Sequence, residues 1–210
     1  MPLYKTITPK KGTTILIWKI DETFETLKKD IELIANSQQR VEGMKSTLHQ
    51  RGFLSIRHLL KVMNYYDNDL WYDELGKPHL VDKKHISITH SFTFSAIIVS
   101  DDPIGIDIEK KRAKIQHIAP KFLYSSDYDL LADKSIDEHV EVLTILWCVK
   151  ESIYKLFATP GLSFKDHIPI KSIDYKHNHV QAQTDYNGKI TDYTLHFMEF
   201  EGFCCAYVVP

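Results

Sequence analysis

The chain has 210 residues, 43% hydrophobic and 26% charged, enough to bury a real core in one large domain or two small ones. Its 26 Lys+Arg against 28 Asp+Glu give a net charge of -2, which argues against a broadly basic nucleic-acid binder. The longest apolar runs, such as Ala96 to Val99 and Ala206 to Val209, are far too short to span a bilayer. Cys148, Cys204 and Cys205 form neither a disulfide framework nor a metal-ligand spacing, so reduced thiols are expected. The start, Met1-Pro2-Leu3-Tyr4-Lys5, lacks the apolar core of a signal peptide, and a cytoplasmic, membrane-free protein is expected.

In chain order, Thr14 to Ile20 alternates apolar and polar residues and predicts a strand. Asp21 to Met63 reads as helical, with Phe24, Leu27, Ile31 and Ile34 first. Phe53, Leu54, Ile56, Leu59, Leu60 and Met63 follow in a second run. Leu75-Gly76-Lys77-Pro78 signals a turn. Ile86 to His90 and Phe94 to Val99 predict strands, and Asp101-Asp102-Pro103 turns the chain into another over Ile104 to Glu109. Residues 135 to 157 predict a long helix, with Ser135 and Glu138 at capping-box spacing and Thr159-Pro160-Gly161 as its stop. Asn187-Gly188 between two alternating runs predicts a hairpin, and Phe203 to Val209 a last strand. Each half thus carries helix plus antiparallel strands. The expected architecture is α+β in two lobes, residues 1–103 and 104–210.

Two segments concentrate chemistry. On a strand over Ile104 to Glu109, Ile104, Ile106 and Ile108 face a core, while Gly105, Asp107 and Glu109 face the other way. Two carboxylates on one face repel each other, and a magnesium ion between them would keep both ionised. A solvated strand face is the commoner reading of a lone Asp-x-Glu; the glycine beside it tilts toward close backbone or ligand approach. On the helix, Leu146, Val149, Ile153 and Phe157 form an apolar stripe, and Thr144, Cys148, Glu151 and Lys155 a separate polar one. Glu151 and Lys155 alone would be a surface ion pair worth ~0.3–0.5 kcal/mol. His90 shares its strand face with Ile86 and Ile88, so a core histidine competes with a phosphate ligand at a strand end. Lys77 in Gly76-Lys77-Pro78 is by itself an exposed turn lysine. Arg57, among Leu54, Leu59 and Leu60, could simply cover apolar surface with its stem.

In order, these segments resemble the 4′-phosphopantetheinyl transferase superfamily, in its two-lobed, surfactin-synthetase-activating (Sfp) type. The matching segments are Arg57-His58-Leu59-Leu60, Gly76-Lys77-Pro78, Thr89-His90-Ser91, Gly105-Ile106-Asp107-Ile108-Glu109, and Trp147, Lys150, Glu151 and Lys155. They span roughly residues 40 to 160. Thr89, which keeps a hydroxyl, and Cys148, which does not, stand where serine is commoner.

The resemblance implies two similar α+β lobes related by pseudo-twofold symmetry, the active site at their interface and the metal-binding carboxylates in the second lobe. It implies transfer of the 4′-phosphopantetheine arm of coenzyme A to a serine of an apo acyl or peptidyl carrier protein, by a monomer, with adenosine 3′,5′-bisphosphate released. Asp107, Glu109 and Glu151 would hold Mg2+ against the pyrophosphate. Glu151, directly or through a metal-bound water, would be the base, and Lys155 and His90 would supply positive or donor groups. Arg57 would meet the 3′-phosphate, helped by one of Arg40, Lys45 and Arg51, and Lys77 would lie near the nucleotide. Two other classes stay open: a catalytically silent module that binds coenzyme A or carrier protein, and a magnesium-dependent phosphohydrolase. The intact acids and lysine argue against the first, the lack of a nucleophilic Asp or metal-binding His motif against the second.

Overall fold

The computed structural model describes residues 3–157 and 160–210. The chain divides after Pro103 into two compact units, and each is an antiparallel sheet with helices, so the fold is α+β.

Unit 1 opens with β1 (Leu3–Lys10) and β2 (Thr13–Lys19), followed by α1 (Phe24–Lys29), α2 (Ala35–Glu42) and α3 (Thr47–Val62). It closes with β3 (Leu70–Tyr72), β4 (Pro78–Leu80), β5 (His85–Ser91) and β6 (Phe94–Ser100). The sheet order is β1-β2-β6-β5-β4-β3. The long α3 buries Phe53, Leu54, Ile56, Leu59 and Leu60 against Leu16, Trp18, Ile86, Ile97 and Val99 of the sheet. Gly52 to Arg57 are buried without a break, followed by Leu59 and Leu60, so the middle of α3 is covered on more than one face.

The helical reading of Asp21 to Met63 needs correction: the span is three helices, not a near-continuous run. The breaks have local causes. Thr23 caps α1 by accepting the Thr26 N–H, and the Asp30 N–H closes its last turn. The chain then runs extended at Ile34, whose N–H donates to the Asp67 carboxylate (2.9 Å), and Gly43 ends α2. Strand β1 was not expected at all. It is an edge strand with most side chains half-buried or exposed, and it carries little alternation to read.

Unit 2 comprises β7 (Gly105–Lys110), α4 (Ile115–Ile118), α5 (Ile136–Phe157), α6 (Phe164–His167), β8 (Ile170–Asp174), β9 (His179–Tyr186), β10 (Lys189–Phe200) and β11 (Phe203–Val208). The sheet order is β7-β11-β10-β9-β8. The 22-residue α5 starts as expected: the Ser135 N–H donates to Glu138 (2.8 Å) and the Glu138 N–H to Ser135 Oγ (3.4 Å). Pro160 and Gly161 follow its end, whereas Thr159 lies outside the described residues. The Asn187-Gly188 hairpin pairs Tyr186 with Lys189, and both turn residues have positive φ, which a two-residue primed turn requires. Leu146, Val149 and Ile153 of α5 pack on Leu195, Phe197, Ala206 and Val208. Among the described residues no helix is long and apolar enough to cross a membrane. The three thiols are all buried.

Candidate active site

In unit 2, Gly105 sets the geometry. It faces α5 so closely that a Cβ built on it would lie 1.9 Å from the Ser152 carbonyl oxygen and 3.1 Å from the Leu156 amide nitrogen. Those are backbone atoms and cannot swing aside, so any side chain here would drive the helix off the strand. The close approach anticipated for this glycine is therefore that of the helix itself. Ser152 completes the seam: its hydroxyl lies 2.7 Å from the Cys148 carbonyl and 2.9 Å from that of Ala206, and Ala206 pairs with Asp107 across β11 and β7.

Alternation along β7 turns Asp107 and Glu109 the same way as Gly105, toward α5. Asp107 is buried, and its Oδ1 accepts a 2.7 Å bond from Lys155 Nζ, which also donates to the Ile106 carbonyl (3.1 Å). Burial works against the charge on Lys155, yet the Asp107 carboxylate overrides it and holds the amine above the usual lysine range. Glu151, half-buried one turn earlier, is raised to about 7, first by burial and then by the Asp107 charge. Lys155 works against that rise and Glu109 adds to it. The four expected groups of this unit thus act on one another electrostatically. The i,i+4 pair is not the simple surface pair of a solvated helix, because Lys155 is tied to β7.

The first half of the polar stripe on α5 is turned inward. Thr144 is buried and turns back to the Val140 carbonyl (2.6 Å). Cys148 is fully buried, with its thiol 3.5 Å from the Cys204 carbonyl, a long and weak contact. Lys150, beside Glu151, carries out different work. It is fully buried, pairs with Asp127 at 2.6 Å and donates to the carbonyls of Ile168 (2.7 Å) and Phe164 (3.0 Å). Asp127 also accepts the N–H groups of Tyr124 and Ile170, so the pair ties α5 to the chain on both sides of it. Burial lowers the Lys150 pKa against the pull of Asp127. Trp147 packs edge-on to Phe122 and Phe164.

The donor set can be judged for magnesium. Three carboxylates whose charges raise the pKa of one of them suit a hard cation with oxygen ligands. As they stand, with Asp107 on Lys155, no group of three or more His, Cys, Asp or Glu among the described residues is arranged to enclose a metal ion. The chemistry of the donor set fits.

In unit 1, His90 is exposed at the end of β5, which sets aside the core-histidine reading. Its ring lies against Gly52 of α3, and the His49 ring is 6.2 Å away. Lys77 sits in the β3–β4 turn, its N–H held by Asp73 Oδ1 (2.9 Å). Arg57 does not stand where the expectation put it. It is 5% exposed, its Nε donates to Asp67 at 2.9 Å, and its guanidinium lies 3.5 Å from the Phe53 ring centroid. Asp67 also holds Ile34 N and Ser37 Oγ, so the arginine belongs to a buried structural hub. Arg51, next to the glycine that touches His90, donates to the Ile20 carbonyl (2.6 Å), and its Nε is a buried donor with no hydrogen-bond partner. Arg40 lies over the Tyr72 and Phe53 rings.

A strand bearing Asp-x-Glu beneath a helix that presents a carboxylate and an amine brings together groups able to meet a cation and an anionic oxygen. The particular family is given by comparison. The sequence model of the 4′-phosphopantetheinyl transferase superfamily matches residues 103–208, half of the chain, and the chain belongs to this superfamily. The 4′-phosphopantetheinyl transferase gsp of Aneurinibacillus migulanus is 31% identical over 159 residues, covering 74% of this chain and 65% of that protein. The 4′-phosphopantetheinyl transferase Sfp of Bacillus subtilis (strain 168) is 37% identical over 84 residues, 39% of this chain and 38% of that protein. The matches thus cover less than two thirds of either relative's length. The crystal structure of Thermotoga maritima holo-[acyl-carrier-protein] synthase aligns with a TM-score of 0.33 and 17% identity, over 50% of this chain and 61% of that one.

Proposed function

We propose that this protein transfers the 4′-phosphopantetheine arm of coenzyme A to a serine of an apo acyl or peptidyl carrier protein. The observation that carries the proposal is the β7–α5 seam, where a Cβ-free Gly105 brings Asp107 and Glu109 up to Glu151 and Lys155.

The serine oxygen forms a bond to the phosphorus that carries the pantetheine arm. The anhydride bond on the far side breaks, and adenosine 3′,5′-bisphosphate leaves. The barrier is mainly electrostatic, because a hydroxyl attacks an already anionic group. Glu151, directly or through a metal-bound water, takes the serine proton. Lys155, held charged by Asp107, places positive charge at the phosphates. Asp107, Glu109 and Glu151 would hold a magnesium ion, which when bound supplies positive charge against the pyrophosphate. In unit 1 the 3′-phosphate is assigned to His90 with Arg51 in place of Arg57, and the nucleotide to Lys77. We further place the protein in the cytoplasm as a monomer, in keeping with three buried thiols.

Incubation with apo carrier proteins of fatty-acid, polyketide and peptide synthesis, coenzyme A and magnesium tests this reading. At least one carrier should gain the mass of the arm, and the same carrier with its acceptor serine changed to alanine should not. Coenzyme A bound without any mass gain would favour a silent binding module. Phosphate release without transfer would favour a hydrolase.

A further inference from the structure

We propose that Gly52 is a positioning residue for His90, and through it sets the preference for the 3′-phosphate of coenzyme A; the inference rests on the phosphate role assigned above to His90. Glycine in mid-helix is unfavourable relative to alanine, and Gly52 does not have the positive φ that would excuse it. Its reason is therefore what it touches. A Cβ on Gly52 would lie 3.1 Å from His90 Cγ, 3.2 Å from Nδ1 and 3.5 Å from Cδ2, all atoms of one imidazole face.

The helix is locked at this level of the sheet. The Ser55 hydroxyl lies 2.8 Å from the Gly52 carbonyl and 2.8 Å from the Ser95 hydroxyl, so it bridges α3 to β6. Ser95 is the direct cross-strand partner of His90. Both serines are fully buried. Gly52, Ser55, Ser95 and His90 thus close a circuit: the helix cannot back away from the sheet, and the ring must yield if a methyl is added. His90 is exposed and sits at a strand end, so it yields by moving. With the His49 ring at 6.2 Å, the seated ring is one of two neighbouring imidazoles able to donate to a phosphate monoester.

The test compares kcat/KM for coenzyme A and for 3′-dephospho-coenzyme A in the wild type, Gly52→Ala, His90→Ala and the double variant. Gly52→Ala should melt at the wild-type temperature or above. Its preference for coenzyme A should fall at least about tenfold, the scale of one weakened charge-assisted bond. Its kcat/KM for the dephospho compound should not change. In the His90→Ala background, Gly52→Ala should have no further effect. If Gly52→Ala melts lower, the double variant should restore the melt, because the clashing ring is gone. A full preference in Gly52→Ala beside a lost one in His90→Ala overturns the inference and leaves the role of His90 standing. An unchanged preference in His90→Ala overturns both. Equal losses from Gly52→Ala with and without His90 also overturn the inference, since the glycine would then act through something else.

Discussion

Replacing Gly105 by alanine adds one methyl at the narrowest point of the seam. Its carbon would lie 1.9 Å from the Ser152 carbonyl oxygen, and ordinary contact begins near 3.4 Å, so α5 must retreat by about 1.5 Å. Glu151 and Lys155 ride on that helix, while Asp107 and Glu109 stay on β7. Misplacement by about 1 Å costs on the order of 10²-fold in rate, so kcat for carrier loading should fall by about 10²-fold or more. Overpacking costs about 1–3 kcal/mol, which lowers the melting temperature of a chain this size by roughly 2–12 °C. Steady-state loading kinetics beside thermal melts read both effects. A near-wild-type kcat with an unchanged melt would refute the reasoning, because the strand and helix would then have room that the geometry denies.

Further substitutions probe the base, the two buried ion pairs and the phosphate assignment in turn. Glu151→Gln should cut kcat by ~10²-fold or more with the fold intact. The Glu151 pKa is raised, from 4.5 to about 7, so its protonated form favours folding. That contribution is complete below pH 4.5 and is lost as pH rises through 7. In metal-free urea titrations the wild type should therefore lose stability relative to the variant across that window, and a flat difference would contradict the assignment. Lys150→Ala should cost about 3–5 kcal/mol by stranding Asp127 in the interior, whereas Lys150→Met with Asp127→Leu should recover much of the loss; denaturant unfolding of both decides it. Arg57→Ala should lower stability by about 3–5 kcal/mol through the stranded Asp67, and it should weaken coenzyme A no more than its 3′-dephospho analogue. Arg51→Ala should show the reverse pattern, and selective loss in Arg57→Ala would return the phosphate to that residue.

What the sequence disclosed follows from which forces are local. The capping box at Ser135 and Glu138 and the Asn187-Gly188 turn are written in residues a few positions apart, and each stands in the structure, whereas β7 is buried on both faces over Gly105 to Ile108 and shows no inside–outside alternation there. Elements whose apolar stripe faces a core, such as α3 and α5, were legible for the same reason. Edge strand β1 was not, since it buries too little to impose a pattern. Long-range pairings were invisible: nothing near Arg57 announces Asp67, and nothing near Lys150 announces Asp127. The motif around Arg57 points to a phosphate and its leucine neighbours to packing, and the structure buries its guanidinium on Asp67 and Phe53. Thr144 and Cys148 fell on a polar stripe by spacing, yet packing buries both. Gly52 gave a faint signal, a glycine inside a strong helical pattern, that acquires meaning only once His90 is seen beside it.

The most direct measurement is the intact mass of an apo carrier protein after incubation with coenzyme A and metal-stripped enzyme, before and after magnesium is added. No transfer should occur before addition. Afterwards the carrier should gain the mass of the phosphopantetheine arm, matched by released adenosine 3′,5′-bisphosphate, at a rate at least about 10²-fold lower with Glu151→Gln. Transfer at full rate without a divalent cation, or with Glu151→Gln, would contradict the proposed mechanism.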